Sequence, residues 1–456
     1  MGERVTREAS ETGPPAGGAA TRRARLGWAL FDWANQPYFT LITTFIFAPY
    51  FATAVIGDAV RGQTLWSYAQ SVAGLLIALA APVAGAIGDA RGPRKPWIAG
   101  CTVIAMAAMG ALWFAVPGAP GSAVPVLSAV VIAALAVEIA IVFNNAMLPG
   151  LATASHIGRL SGFGWGLGYV GGLVALLIVA FVFAQPWFGL DAPRHEPARL
   201  TGPFSALWLG LFVIPLFLYT PDQARALRKI PPGGAPPRKG LVEAVRAVLR
   251  HRNIAVFLIG RMLYFDGLSA IYAFGGIYAA GIFGWETRTL GLFGIVLIVF
   301  SMIGAFAGGW FDDRMGSKRT IILGLLGVIL GTLGILSISS GEVFFVFDLD
   351  PVAPGNGLFA TAAERFMLVF SALVGICGGP VQAASRTLLA RLAPHRERAK
   401  YFGLYAMSGK ATAFLAPLLV GIFTTLFHSQ RAGLAVIVVF LVAGLAILTR
   451  VSEERP

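Results

Sequence analysis

Apolar runs of about 20 residues recur roughly twelve times along the chain, over 28–56, 64–87, 97–116, 122–147, 161–184, 203–220, 253–283, 287–311, 320–340, 361–385, 401–428 and 431–449. Each is long enough to cross a hydrocarbon layer of ~30 Å as a helix, and only helices or closed barrels can satisfy their backbone there. The pattern predicts an all-α membrane protein of about 12 transmembrane helices in two pseudo-symmetric six-helix bundles, 26–220 and 253–450. Residues 1–25 lack any apolar block and read as a disordered cytoplasmic tail, with a second short tail at 451–456. Between the bundles, 221–252 holds Pro231, Pro232, Gly233, Gly234, Pro236 and Pro237, then alternates apolar and basic positions from Leu241 to Arg250. It reads as a cytoplasmic linker with one short amphipathic helix on the membrane surface.

Composition agrees with this pattern. Of 456 residues, 57% are hydrophobic and 12% charged, with a mean hydropathy of +0.74. Too few polar residues remain to build a water-facing surface. The net charge of +13 would suggest nucleic acid in a soluble protein. Here 27 of the 35 Lys and Arg fall in the even-numbered connections and the two tails. By the positive-inside rule both termini are cytoplasmic, and the cations face lipid headgroups. Arginine exceeds lysine and no organelle-sorting signal is apparent, which favours a bacterial inner membrane. Cys101 and Cys377 each lie in an apolar span, so they read as packing residues, with no disulfide, metal or other cofactor implied.

One polar loop occurs twice. Gly85, Asp89, Arg91, Gly92, Arg94 and Lys95 return as Gly309, Asp313, Arg314, Gly316, Lys318 and Arg319, with Asp89 and Asp313, and Gly92 and Gly316, each 224 positions apart. A glycine-hinged basic turn repeated once per half is the mark of a transporter built from two related lobes. Gly85 and Gly309 are expected to pack closely against the neighbouring half. Asp89 and Asp313 are expected to accept bonds from the N-termini of helices 11 and 5, and the cations to anchor the loops.

With the turn placed after the second and eighth spans, the chain resembles the major facilitator superfamily, whose signature sits at those positions. The second copy matches fully; the first has Ala90 where a basic residue is usual, with Arg91 beside it. A narrower resemblance runs through Trp28 to Tyr38, Asn144-Asn145-Ala-Met-Leu-Pro149, Gly158 to Tyr169, Tyr264-Phe-Asp266-Gly267, and Gly378 to Arg386 with Tyr401 to Tyr405 and Gly409-Lys410. These blocks are similar to the vacuolar amino-acid effluxers linked to autophagy and their bacterial relatives. Gln36 and Pro37 stand where that family more often has Ser and Ala. The resemblance implies amino-acid export for the fungal members, and a central cavity lined by helices 1, 4, 7 and 10.

Ionisable groups inside hydrocarbon need a partner or a water-filled cavity. Five are found: Asp32 in the first span, Glu138 in the fourth, Arg261 and Asp266 in the seventh and Lys410 in the eleventh. Asp266, near mid-span, is the first candidate for coupling and Glu138 the second. The competing reading is that both are permanently paired with Arg261 or Lys410 and simply hold helices together. Arg261 and Lys410 can also bind a carboxylate, Arg by a fork and Lys as a point charge. Asp32 with Asn35, and Asn144 with Asn145, suit either an ammonium ligand or an inner gate. Gly375, Gly378, Gly379 and Pro380 are expected to bend the tenth helix and to move Gln382. Tyr38, Trp165, Tyr169, Tyr264 and Tyr405 are candidate cavity walls.

Other chemistry finds little support. Gly166-Leu-Gly168-Tyr-Val-Gly171 matches a dinucleotide fingerprint by letter, but no strand precedes it, and no Walker-type loop occurs. The five histidines make no catalytic or metal cluster. The expectation is a monomeric, non-enzymatic permease for a small polar solute, possibly amino acids, by alternating access with proton coupling. Its rivals are efflux of amphipathic compounds and a non-transporting receptor or scaffold.

Overall fold

The structure, a computed structural model, describes residues 20–91, 93–151, 157–222, 251–339, 342–344, 347–348, 358–393 and 398–453. Among the described residues, twelve helices are long and apolar enough to cross a membrane. They are α1 (Arg22–Val55), α2 (Ala59–Arg91), α3 (Lys95–Ala111), α4 (Ala123–Met147), α5 (Ile157–Ile178), α6 (Glu196–Phe212, extended by Ile214–Tyr219), α7 (Arg252–Phe283), α8 (Thr287–Met315), α9 (Ser317–Leu336), α10 (Ala362–Leu392), α11 (Arg398–Ala411 and Leu415–Phe427) and α12 (Gln430–Leu448). The one strand pairing among the described residues is Glu342–Val343 with Phe347–Asp348, between α9 and α10. The predicted tail before residue 20, the linker helix within 223–250, Gly92 and the last three residues lie outside the described residues.

Proline decides where the long helices deviate. It removes the N–H that would bond to the carbonyl four residues earlier. In α1, Pro37 frees the carbonyl of Trp33, which accepts the indole N–H of Trp208 at 3.1 Å. The two indoles stack with centroids 5.4 Å apart, and α1 continues as a π-helical stretch over Tyr38–Phe45. In α11, Pro417 releases the carbonyl of Ala413, and the helix breaks one turn earlier into the turn Thr412–Phe414. Helix α10, where a bend was expected, runs unbroken through Pro380. Its glycines serve close packing instead. A Cβ on Gly379 would lie 2.8 Å from Ser301 O, one on Gly308 2.7 Å from Pro380, and one on Gly304 would overlap Ile376 O, the carbonyl that Pro380 frees. Helix α6 begins at Glu196, seven residues before the predicted span, because Pro197 suits a first helical turn.

Small residues also join α1 to α5. Gly164, Gly168, Gly171 and Gly172 lie against Asp32, Gln36, Trp33 and Thr40, and a Cβ on Gly164 would sit 2.6 Å from Asp32 Oδ2. The glycine spacing thus serves helix packing, and the nucleotide-like letters within it carry no loop.

The hydrogen bonds joining the first six helices to the last six cluster at the end remote from the termini. Gln63 donates to Thr424 Oγ1 at 2.8 Å and to Gln430 O at 3.2 Å, and Gln430 donates to Ala59 O at 3.0 Å. Tyr68 and Thr425 hydroxyls are 3.3 Å apart. At the same end the backbones touch: a Cβ on Gly276 would be 2.5 Å from Thr44 O, and one on Gly291 3.1 Å from Ala180.

Candidate functional site

Below that closed end, the rare charged groups gather at middle depth. Glu138 sits about 14 Å from the terminal-side end of α4, Lys410 about 18 Å along α11 and Asp266 about 21 Å along α7, at 1.5 Å per residue. Lys410 Nζ meets Glu138 Oε1 at 2.6 Å, which ties α11 of the second half to α4 of the first. Tyr38 lies within electrostatic reach of Glu138. The Lys410 side chain is 43% exposed and that of Glu138 13%.

Arg261 is differently placed. It is 5% exposed, and its Nη1 donates to Tyr405 O at 3.0 Å and to Ser408 Oγ at 2.9 Å. Its guanidinium stands 3.5 Å from the centre of the Tyr405 ring and 4.7 Å from that of Phe265. It fastens α7 to the inner piece of α11.

Asp266 is 3% exposed and its Oδ2 has no hydrogen-bond partner; the buried Thr412 Oγ1 at the break in α11 has none either. Thr412 stands beside this carboxyl, and Arg261 acts on it through its charge. Asp266 forms no ion pair within 4.0 Å with Arg261 or Lys410, whereas Glu138 is paired with Lys410. Five residues along a helix turn a side chain by about 140°, so Asp266 and Arg261 leave α7 in different directions.

Asp32 is half-buried over Gly164, and Asn35 donates to Phe31 O at 2.8 Å within its own helix. Asn144 is 1% exposed, its carbonyl taken by the Trp28 indole at 2.8 Å and both its side-chain polar atoms unpartnered, whereas Asn145 is exposed. Tyr264 OH and Ser385 Oγ are 2.7 Å apart and buried. Gln382 is half-buried. Tyr169 of α5, in the first half, lies within electrostatic reach of Tyr272 of α7 and Arg386 of α10, in the second. Trp165 is 52% exposed and stands at the edge.

The repeated loops hold a pair of clamps that sequence reasoning missed. After α6, Asp222 accepts the backbone N–H groups of Arg94 and Lys95 at 2.9 and 3.0 Å, and Lys95 Nζ returns to Phe217 O at 2.9 Å. After α12, Glu453 accepts those of Ser317 and Lys318 at 3.0 and 2.8 Å, and Lys318 Nζ returns to Thr449 O at 2.9 Å. Each carboxylate neutralises the positive end of a helix, α3 or α9. The second clamp adds Arg391, 2.9 Å from Glu453 and 3.5 Å from Asp312, which also accepts from Ser317 Oγ at 2.6 Å. Gly316, at φ +89°, makes the turn a side chain would strain. The available signal was an acidic residue directly after the last span of each half.

The expected loop roles change accordingly. Asp313 is exposed and caps no helix among the described residues, and Gly309 has nothing within 4 Å of where its Cβ would be; Gly308 makes the close approach, within its own half. Arg314 stacks on Trp310 at 3.7 Å and Arg319 is exposed. Gly85, Asp89 and Arg91 end α2, and their side-chain surroundings lie outside the described residues.

A family model described as vacuole effluxer Atg22 like matches residues 154–456. A Bacillus subtilis protein named as an uncharacterized MFS-type transporter, YxiO, is 24% identical over 434 residues, 94% of each chain. Autophagy-related protein 22-1 of Neosartorya fischeri is 23% identical over 312 residues, 65% of this chain and 48% of that one, so the chain spans about half the length of the fungal relative. Among solved structures, a D-xylose-proton symporter superposes with a TM-score of 0.68 at 15% identity, covering 95% of this chain and 97% of that one. The nucleoside transporter NupG does so at 0.65 and 13%, covering 93% and 97%. Such identities speak for the fold alone. Twelve spanning helices, two matching clamps and these relatives describe a membrane transporter of the major facilitator type, and the chain belongs to its Atg22-like vacuole effluxer family.

Proposed function

We propose that the chain is a secondary transporter that carries a small polar solute, amino acids first among them, by alternating access coupled to protons. The observation that carries this reading is the arrangement of the halves. They close against each other at the end remote from the termini, and among the described residues a single charged pair, Glu138 with Lys410, spans them at middle depth. A solute site at that level, reached from one side at a time, is the arrangement alternating access requires. With both termini cytoplasmic, as the distribution of Lys and Arg supports, the closed end is external and the cavity opens inward. A bacterial inner membrane and a monomer in contact with lipid complete the reading, with no nucleic acid bound.

The family's description as effluxers supports movement of solute out of a compartment, and the resemblance to the amino-acid effluxers supports the solute class. Proton coupling rests on Asp266, which offers a carboxyl oxygen without a fixed partner beside the break in α11. Purified protein in liposomes, supplied with labelled amino acids under imposed proton and sodium gradients, tests it. Saturable flux accelerated by a pH gradient is expected, with Asp266→Asn abolishing the acceleration and leaving exchange intact. Unchanged acceleration in that variant removes Asp266 from the role. Flux of amphipathic compounds alone, or no flux from folded protein, rejects the amino-acid reading.

A further inference from the structure

We propose that Glu138 and Lys410 together are the solute-recognition element, and that they select solutes carrying one positive and one negative group. This rests on the transport reading above. Among the described residues theirs is the one ion pair between the halves, at 2.6 Å. The other cation at this depth, Arg261, is sequestered at 5% exposure by Tyr405 and Ser408, and the carboxyl of Asp32 is pressed over Gly164. Lys410 differs from both: its side chain is 43% exposed while that of Glu138 is 13%, so this pair is the one a solute's charged groups would meet. It also sits in the last turn before the break at Thr412–Phe414, which separates its helix piece from Leu415–Phe427.

The selection follows from what each kind of solute leaves behind. A solute with both charges places its anionic group on Lys410 and its cationic group on Glu138, so each ion exchanges one partner for another. A solute with a single charge takes one partner and strands the other ion inside the bilayer, the costly condition for an intramembrane charge. Because the two residues belong to different halves, the empty pair and the pair bridged by such a solute both leave the site electrically satisfied. Reorientation is open to those two states and closed to a singly charged complex.

The test uses the full chain in liposomes with a labelled amino-acid mixture as probe. Competitors are the unlabelled amino acids, the corresponding amino-acid amides, which lack the carboxylate, and the deaminated acids, which lack the amine. The amides and the acids should each compete at least about tenfold more weakly than the amino acids. Lys410→Met and Glu138→Gln should each cut flux by at least about tenfold, and the double exchange Glu138→Lys with Lys410→Glu should recover flux toward wild type, because both charges are again present. Equal competition by amides or acids, with amino-acid flux intact, overturns the inference while the transport reading stands. Absence of all amino-acid flux from folded wild type overturns both. Should a single variant fail to fold by size-exclusion profile, the competition series on the wild type decides alone.

Discussion

Within each half, a carboxylate caps the helix that follows the repeated loop, Asp222 on α3 and Glu453 on α9, and a lysine from that helix returns to the end of the last one. Between the halves, the closed end is joined by neutral groups: Gln63, Gln430, Tyr68 and threonine hydroxyls. Charge-assisted bonds are roughly twice as strong as neutral ones. The contrast separates what must stay rigid from what must part. Charge ties α3 to α6 and α9 to α12, while the seam between the halves holds by neutral bonds worth about 1 kcal/mol each. Glu138 and Lys410 stand between these extremes, charged but partly exposed.

The two clamps themselves differ, and that difference gives the largest expected effect. Glu453→Ala removes two charge-assisted bonds and leaves Arg391 with Asp312 alone, for a loss of about 2 to 3 kcal/mol in thermal unfolding of the purified protein. Asp222→Ala loses the same pair of backbone bonds, and about 1 to 2 kcal/mol is expected, the usual range for a helix cap. Equal losses would mean that Arg391 adds nothing. Across the seam, Gln63→Leu keeps the volume and removes the bonds to Thr424 and Gln430, which should favour the externally open form by about 1 kcal/mol. Thiol labelling of a cysteine placed at Ser67, buried against Gly421 across the seam, reads this as faster modification. Tyr68→Phe removes a single exposed bond and should change that rate little, by less than about 0.5 kcal/mol.

Much of the fold was legible because membrane spans obey one strong rule, about 20 apolar residues per crossing, and all twelve were found. The break in α11 was not. Proline predicts a missing bond but not whether the helix is interrupted there: α10 continues through Pro380, packed tightly by Gly304 and Gly308, while a turn at Thr412–Phe414 precedes Pro417. At the site, the five charged residues announced themselves by being costly in lipid, yet their pairing depends on helix rotation. A partner on another helix, such as Lys410 for Glu138, is 272 positions away and leaves no local trace. The clamps stayed hidden for another reason. An acidic residue in a polar connection looks like ordinary solvated loop until the helix end that it caps is in place.

Alternating access requires two rigid halves that rock about the level of Glu138 and Lys410. Spin labels on full-length protein in lipid nanodiscs, one pair at Asp58 and His428 beside the closed end and another at Pro96 and Arg319 near the termini, report both gaps by pulsed dipolar spectroscopy. All four positions are exposed. On adding amino acids and lowering the pH, the account predicts that the first distance lengthens in the same population in which the second shortens. Distances that stay fixed, or that lengthen together, would contradict it.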